Sequence, residues 1–305
     1  MQNFRLRVFR CVAQLLNFRK AAEELNMTQP AVSLQIKALE EELDLQLFNR
    51  AGGRIALTPA GATLLSYVER VDLLLAEAED ALCLFRGELR GVISVGASLT
   101  VAQYILPLLL GQFLREHPGV HMSVLSRNTE QIVESVAARH SSLGFIEGPA
   151  RRRDVRVEPI LQDEMVLIVP SGHPWDQSQP IALHDLCSVP LLTRERGSGS
   201  RHVVELALAK AGLPVRDLRV LVELDTTEAI KAAVESGLGV GFVSSWSIRK
   251  ELRLGTLRTV KVVDLQIPRD ISVVLPVGPE PQGILGHFLR LIREASVGLR
   301  SNLRT

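Results

Sequence analysis

The chain has 305 residues, 46% of them hydrophobic and 23% charged, which excludes a disordered chain and is too long for one ordinary core. Its formal charge of +1 excludes charge alone as the basis of a function: residues 1–60 hold eight Lys and Arg against six Asp and Glu, and residues 61–90 hold three against six. Cys11, Cys83 and Cys187 are far apart and odd in number, which argues against a disulfide framework or a zinc site and fits a reducing cytoplasm. The opening MQNFRLRVFRCVAQ lacks the pattern of a signal peptide. The richest apolar stretch, around residues 105–114, contains Pro107, Gly111 and Gln112, so no membrane span is expected.

Residues 1–58 read as short helices followed by a hairpin. Ala21, Ala22 and Leu25 share one face of a short helix, and Asn26 and Met27 make a turn. Thr28 is an N-cap, and Pro30 sits in the first turn, where its missing N–H does no harm. The helix that runs from Gln29 towards Leu43 gathers Val32, Ile36, Leu39 and Leu43 into a stripe expected to be buried. Pro30, Ser33, Leu34 and Lys37 fall on the other side, with Gln29 at the start, a face suited to a major groove. Gly52 and Gly53 then give a tight turn flanked by Arg50 and Arg54, a wing whose cations suit phosphate or a narrow minor groove. Periodicity alone leaves open a helical hairpin that serves only as a core.

Residues 59–87 read as one long helix, with Thr58 as cap and Pro59 at its first position. Leu64, Val68, Val71, Leu75, Ala78, Leu82 and Phe85 follow at alternating spacings of four and three, a heptad seam. That seam can pack against the α/β region that follows in its own chain or against a second copy.

From Gly91 onward short apolar strands, at 92–97, 120–125, 143–146, 165–169, 220–224 and 240–244, alternate with helices. This predicts α/β architecture with mostly parallel sheets. Three loops follow strands and open helices: Ser98 to Thr100, residues 193–200 with Ser198 and Ser200, and Asp225 to Thr227 with Thr226. Each offers hydroxyls and free backbone N–H groups that suit a small anion, and each Ser or Thr taken singly is also an ordinary N-cap. Gly237, Gly239 and Gly241 precede a strand rather than follow one, so they form no dinucleotide loop. His173, His184 and Cys187 are given structural roles, and Arg151, Arg152 and Arg153 a solvated loop.

Residues 18–48 and their continuation resemble the signature of LysR-type transcriptional regulators: F-x-x-AA-x-x-L, T-Q-P-A-V-S, Q-I-x-x-LE-x-x-L, LF-x-R and LTPAG. The matches are Phe18, Ala21, Ala22, Leu25, residues 28–33, Gln35, Ile36, Leu39, Glu40, Leu43, Leu47, Phe48, Arg50 and residues 57–61. The resemblance implies a winged helix-turn-helix at 1–58 and a linker and dimerisation helix at 59–89. It also implies an α/β effector domain at 90–305, of two Rossmann-like lobes like those of type II periplasmic binding proteins. Lobe 1 would hold 90–162 and 268–305 and lobe 2 163–267, with crossovers near 162–163 and 265–268 and a final helix at 283–299 returning to lobe 1.

The function implied is ligand-controlled regulation of transcription in the cytoplasm, without enzymatic activity, metal or cofactor. Thr28, Gln29, Pro30, Ser33, Leu34, Lys37, Arg50 and Arg54 would face double-stranded operator DNA. Many members carry Arg where this chain has Leu34, which can meet a thymine methyl but cannot donate to guanine. The seam would pair two subunits antiparallel; a homodimer, homotetramers built from it and RNA polymerase are the other partners. Ser98, Thr100, Ser198, Ser200 and Thr226 would hold the effector. Residues 194–201 and 226–231 are similar to members controlling carbon fixation and sulfur assimilation, which suggests an anionic metabolite or inorganic oxyanion. A transport solute-binding protein is opposed by the helix-turn-helix, and an enzyme on the same bilobal fold by the lack of a catalytic constellation.

Overall fold

The computed structural model describes residues 3–49, 55–83, 89–150, 152–176 and 179–302. The chain divides into two compact units, residues 1–87 with 138–140, and residues 88–137 with 141–305.

The first unit begins with α1 (Phe4–Leu15), α2 (Phe18–Glu24) and α3 (Gln29–Leu43). Asn3, Asn17 and Thr28 each turn a side-chain oxygen back to the free amides of the helix that follows. Val8, Phe9, Val12, Ala21, Val32 and Ile36 form the core, and Phe48 closes it with ring contacts of 5.6 Å to Phe9 and 5.7 Å to Phe18. Leu43, expected in the buried stripe of α3, is 41% exposed. The core ends a turn earlier, where Glu40 is buried instead, and Asp44 then caps α3 in the left-handed region.

Glu40 shows why an acid is tolerated there: its Oε1 accepts from Leu47 N at 2.8 Å and Phe48 N at 3.2 Å. It thereby fixes the entry to β1 (Phe48–Asn49), which pairs antiparallel with β2 (Ala56–Leu57). The next join is tighter. Thr58 Oγ1 donates to Gln46 O at 2.7 Å and accepts from Gly61 N at 3.0 Å. A Cβ on Gly61 would lie 2.1 Å from Leu47 O, so only glycine permits this approach. The following α4 (Pro59–Cys83) is locked to the hairpin by that contact.

The seam expected along α4 is shifted. Val68 is 3% exposed in the unit's own core and Leu64 packs against it, so both are occupied within the chain. Leu75 is half-buried. The exposed apolar stripe is Tyr67, Val71, Leu74, Ala78 and Leu82. Phe85 lies outside the described residues.

The second unit is built on one mixed sheet. Its strands are β3 (Gly91–Ser98), β4 (Val120–Arg127), β5 (Leu143–Glu147), β6 (Val155–Pro170), β7 (Leu191–Arg194), β8 (Val220–Leu224), β9 (Val240–Ser244), β10 (Leu257–Val260) and β11 (Pro268–Pro276). The order is β4-β3-β5-β11-β6-β9-β7-β8, with β10 also on β6. Pairs β3–β4, β3–β5, β7–β8 and β7–β9 are parallel, as expected of βα repeats. β6 and β11 run against their neighbours, because they carry the chain from one lobe to the other and back. β6 pairs with β11 up to Glu164 and with β9 from Met165, so one strand belongs to both lobes.

Helices α5 (Leu106–Glu116), α6 (Thr129–Ala137), α7 (Gly199–Lys210), α8 (Thr227–Glu235), α9 (Arg249–Leu254) and α10 (Gly283–Asn302) cover the sheet. Phe288 of α10 meets Phe113 at 5.0 Å in the core of the first lobe. The second lobe packs Leu167, Val169, Leu208 and Phe242 in a separate core.

Candidate nucleic-acid interface and ligand cleft

In the first unit the predicted face of α3 is free of the core. Thr28, Gln29, Pro30, Leu34 and Lys37 are exposed and Ser33 is half-buried. Gln29 Nε2 donates to Ser33 Oγ at 3.3 Å, which places two groups capable of reading base edges side by side. Thr28 accepts from Ala31 N, so its hydroxyl is engaged in capping the helix. Lys37 lies 3.5 Å from Glu41 in a surface pair worth little, which a phosphate can replace. Arg50 and Arg54 of the wing lie outside the described residues.

In the second unit the three loops singled out in the sequence meet between the lobes. Ser98, at the end of β3, donates to Glu147 Oε2, and Ser200, in the first turn of α7, donates to Glu147 Oε1 at 3.2 Å. Thr100 Oγ1 lies 3.4 Å from Thr227 Oγ1 at the start of α8, and both are buried. The structure thus makes two separate bridges between the lobes, Ser98 to Ser200 through Glu147 and Thr100 to Thr227. Ser198 and Thr226 serve differently: each accepts from the helix that it precedes, Ser198 from Arg201 N at 3.5 Å and Thr226 from Ala229 N at 3.0 Å. Thr227, not Thr226, holds the interlobe position.

Sequence reasoning missed the charged residues of the cleft. Arg194 at the end of β7 is buried and donates to Thr227 Oγ1 at 3.2 Å and Asp225 O at 3.0 Å, with Glu195 as its counter-ion. Arg269 on β11 joins Asp163 on β6 at 2.7 Å and donates to Ser200 Oγ at 2.7 Å. Ser244 and Ser245 donate to the same Asp163 carboxylate. Lys231 of α8 is buried, donates to Ser247 O at 2.9 Å, and lies 5.3 Å from the Tyr104 ring of the first lobe. Some of these signals were readable. Glu147 is the lone charge closing an apolar strand, and Lys231 stands one helical turn after Thr227.

His184 and Cys187, given structural roles from the sequence, are brought to 3.9 Å by one turn of a 3-10 helix; Sγ also reaches Asp217 O at 4.0 Å. Spacing of three residues was the available signal. His173 Nδ1 accepts from Trp175 N, and burial holds its imidazole below the ordinary histidine range. Among the described residues no group of three or more His, Cys, Asp or Glu could hold a metal ion, and no helix is long and apolar enough to cross a membrane.

A capped recognition helix with a hairpin beside it, followed by a bilobal unit with buried polar side chains between its lobes, defines a DNA-binding transcription regulator with an effector-binding domain. Residues 4–62 match the family described as "Bacterial regulatory helix-turn-helix protein, lysR family", and residues 86–296 match "LysR substrate binding domain". The chain belongs to the LysR family of transcription regulators, and is not an enzyme. It is 36% identical over 272 residues to a "Probable RuBisCO transcriptional regulator" of Cyanophora paradoxa, covering 88% of this chain and 84% of the relative. Full-length CbnR, solved in complex with its target DNA, superposes with a TM-score of 0.73 at 26% identity over 97% of this chain and 100% of that one. The regulatory domain of Synechocystis PCC6803 CcmR, solved in complex with 2-PG, gives 0.62 at 25% identity over 67% of this chain and 97% of that one.

Proposed function

We propose that this regulator binds operator DNA as a homodimer and that a small anionic effector, held between the lobes of its second unit, switches it. The α3 face with Gln29, Pro30, Ser33, Leu34 and Lys37 reads the operator, the wing arginines add phosphate or minor-groove contacts, and the apolar stripe of α4 pairs two subunits. Dimers pair into tetramers, RNA polymerase is the downstream partner, and the protein acts in the cytoplasm.

The observation that carries the effector reading is the buried bridge of Thr100, Thr227 and Arg194 across the lobes. Strand ends and helix N-termini supply free amides there, hydroxyls supply further donors, and a buried guanidinium supplies charge. CcmR, the similar protein solved with 2-PG, supports an anion of that kind. The effector acts by its difference in affinity for two lobe arrangements.

The experiment is a gel shift with the chain's own upstream DNA, combined with calorimetry against 2-PG, inorganic phosphate and sulfate. Specific DNA binding altered by one of these anions is expected. No sequence-specific retention would sink the operator reading, and undiminished anion affinity in Thr100→Val and Thr227→Val would move the site elsewhere.

A further inference from the structure

Glu147 closes β5 between the lobes and is 2% exposed. Its carboxylate is divided between the lobes, Oε2 taking Ser98 of β3 and Oε1 taking Ser200 of α7. Arg269 Nη1 stands 3.9 Å from Oε1 and reinforces it through Ser200 Oγ. The main chain is just as close. Thr129 Oγ1 donates to Glu147 O at 3.3 Å and accepts from Gly199 N at 3.2 Å. A Cβ on Gly199 would lie 1.9 Å from Glu147 O. The N-terminus of α7 is therefore pressed onto the end of β5.

A carboxylate keeps its charge in a dry interior only where donors and a cation surround it. The donors here are a strand-end hydroxyl, a hydroxyl in the first turn of a 12-residue helix and a buried guanidinium. That is the set expected to receive an external anion, and it is already filled from within the chain.

We infer that Glu147 is a tethered ligand, whose carboxylate occupies the anion subsite of Ser98, Ser200 and Arg269 and competes with external anions for it. The inference rests on the reading of this cleft as the effector site and adds its regulation. Two carboxyl groups, of Glu147 and Asp163, face the one guanidinium of Arg269 here, so a second anion enters only when Glu147 withdraws. Withdrawal releases the carboxylate's hold on Ser200 of α7, which couples anion entry to lobe movement and sets the effector concentration at which the switch responds.

The test uses the full chain. In Glu147→Ala, formate is expected to raise the melting temperature saturably over chloride at equal ionic strength, and wild type should show no such rise. Adding Ser98→Ala should remove the effect. Should Glu147→Ala not fold, the near-isosteric Glu147→Gln decides the matter: removing the like charge is expected to tighten sulfate binding on the order of ten-fold or more by calorimetry. Equal formate effects in wild type and Glu147→Ala, or unchanged sulfate affinity in Glu147→Gln, overturn the proposal. The formate readout needs no effector, so its failure is distinct from failure of the effector reading, which Thr100→Val and Thr227→Val test.

Discussion

Thr226 and Thr227 are adjacent, carry the same side chain and are held by different forces. Thr226 accepts one amide at the start of α8, whereas Thr227 links Arg194 to Thr100. Thr226→Ala should cost about 1 kcal/mol as a lost N-cap and leave anion binding unchanged. Thr227→Val should abolish anion binding and destabilise the second unit by about 1–3 kcal/mol, since a buried guanidinium loses an acceptor. Denaturant unfolding and calorimetry on the two variants separate these outcomes, and equal anion affinities would refute the assignment. On the DNA face, Lys37→Ala should lower the salt dependence of operator binding by about one unit and weaken all sequences alike. Ser33→Ala should shift preference among operators more than overall affinity. A gel-shift series across salt concentrations measures both, and wild-type affinity and slope in Lys37→Ala would remove it from the interface.

At the scale of elements, helix boundaries were legible because caps and prolines mark them: Thr28 with Pro30 and Thr58 with Pro59 begin α3 and α4. The strand-end loops were legible as well, since apolar runs ending in Ser or Thr place hydroxyls where helices begin. What periodicity could not give was the partner of an apolar face. The inner side of α4, with Leu64 and Val68, and its exposed side, with Val71 and Leu74, are both apolar, so a spacing of four and three fits either. Nor could it pair Glu147 with Ser200, because that contact joins residues 53 apart across two lobes. The two sides of α4 differ in consequence. Leu74→Glu should dissociate the dimer in sedimentation while the fold survives. Val68→Ala should leave the oligomer intact and lower stability by about 1–3 kcal/mol through a cavity in the first core. Dissociation by Val68→Ala with an unchanged oligomer in Leu74→Glu would reverse the assignment.

At the scale of the whole molecule, the two units have separate cores, whereas the two lobes share the strand β6. Heat should therefore unfold the chain in two transitions rather than three. Operator DNA should raise one and a bound anion the other, because a ligand stabilises only the unit that it binds. Scanning calorimetry checks this, and a single transition moved by both ligands would show that the units melt together. The contact at Gly61 has a mechanical meaning. With Leu47 O against its α-carbon and Thr58 bonded on both sides, the wing hairpin and α4 have no play between them. They are a rod with a welded foot. The 25 residues of α4 give the rod a length of about 37 Å. A tilt of about 5° moves one end of such a lever by roughly 3 Å relative to the other, close to the rise of one base pair. A push at the far end, whatever its source, would thus reach the β1–β2 hairpin as a displacement of about that size.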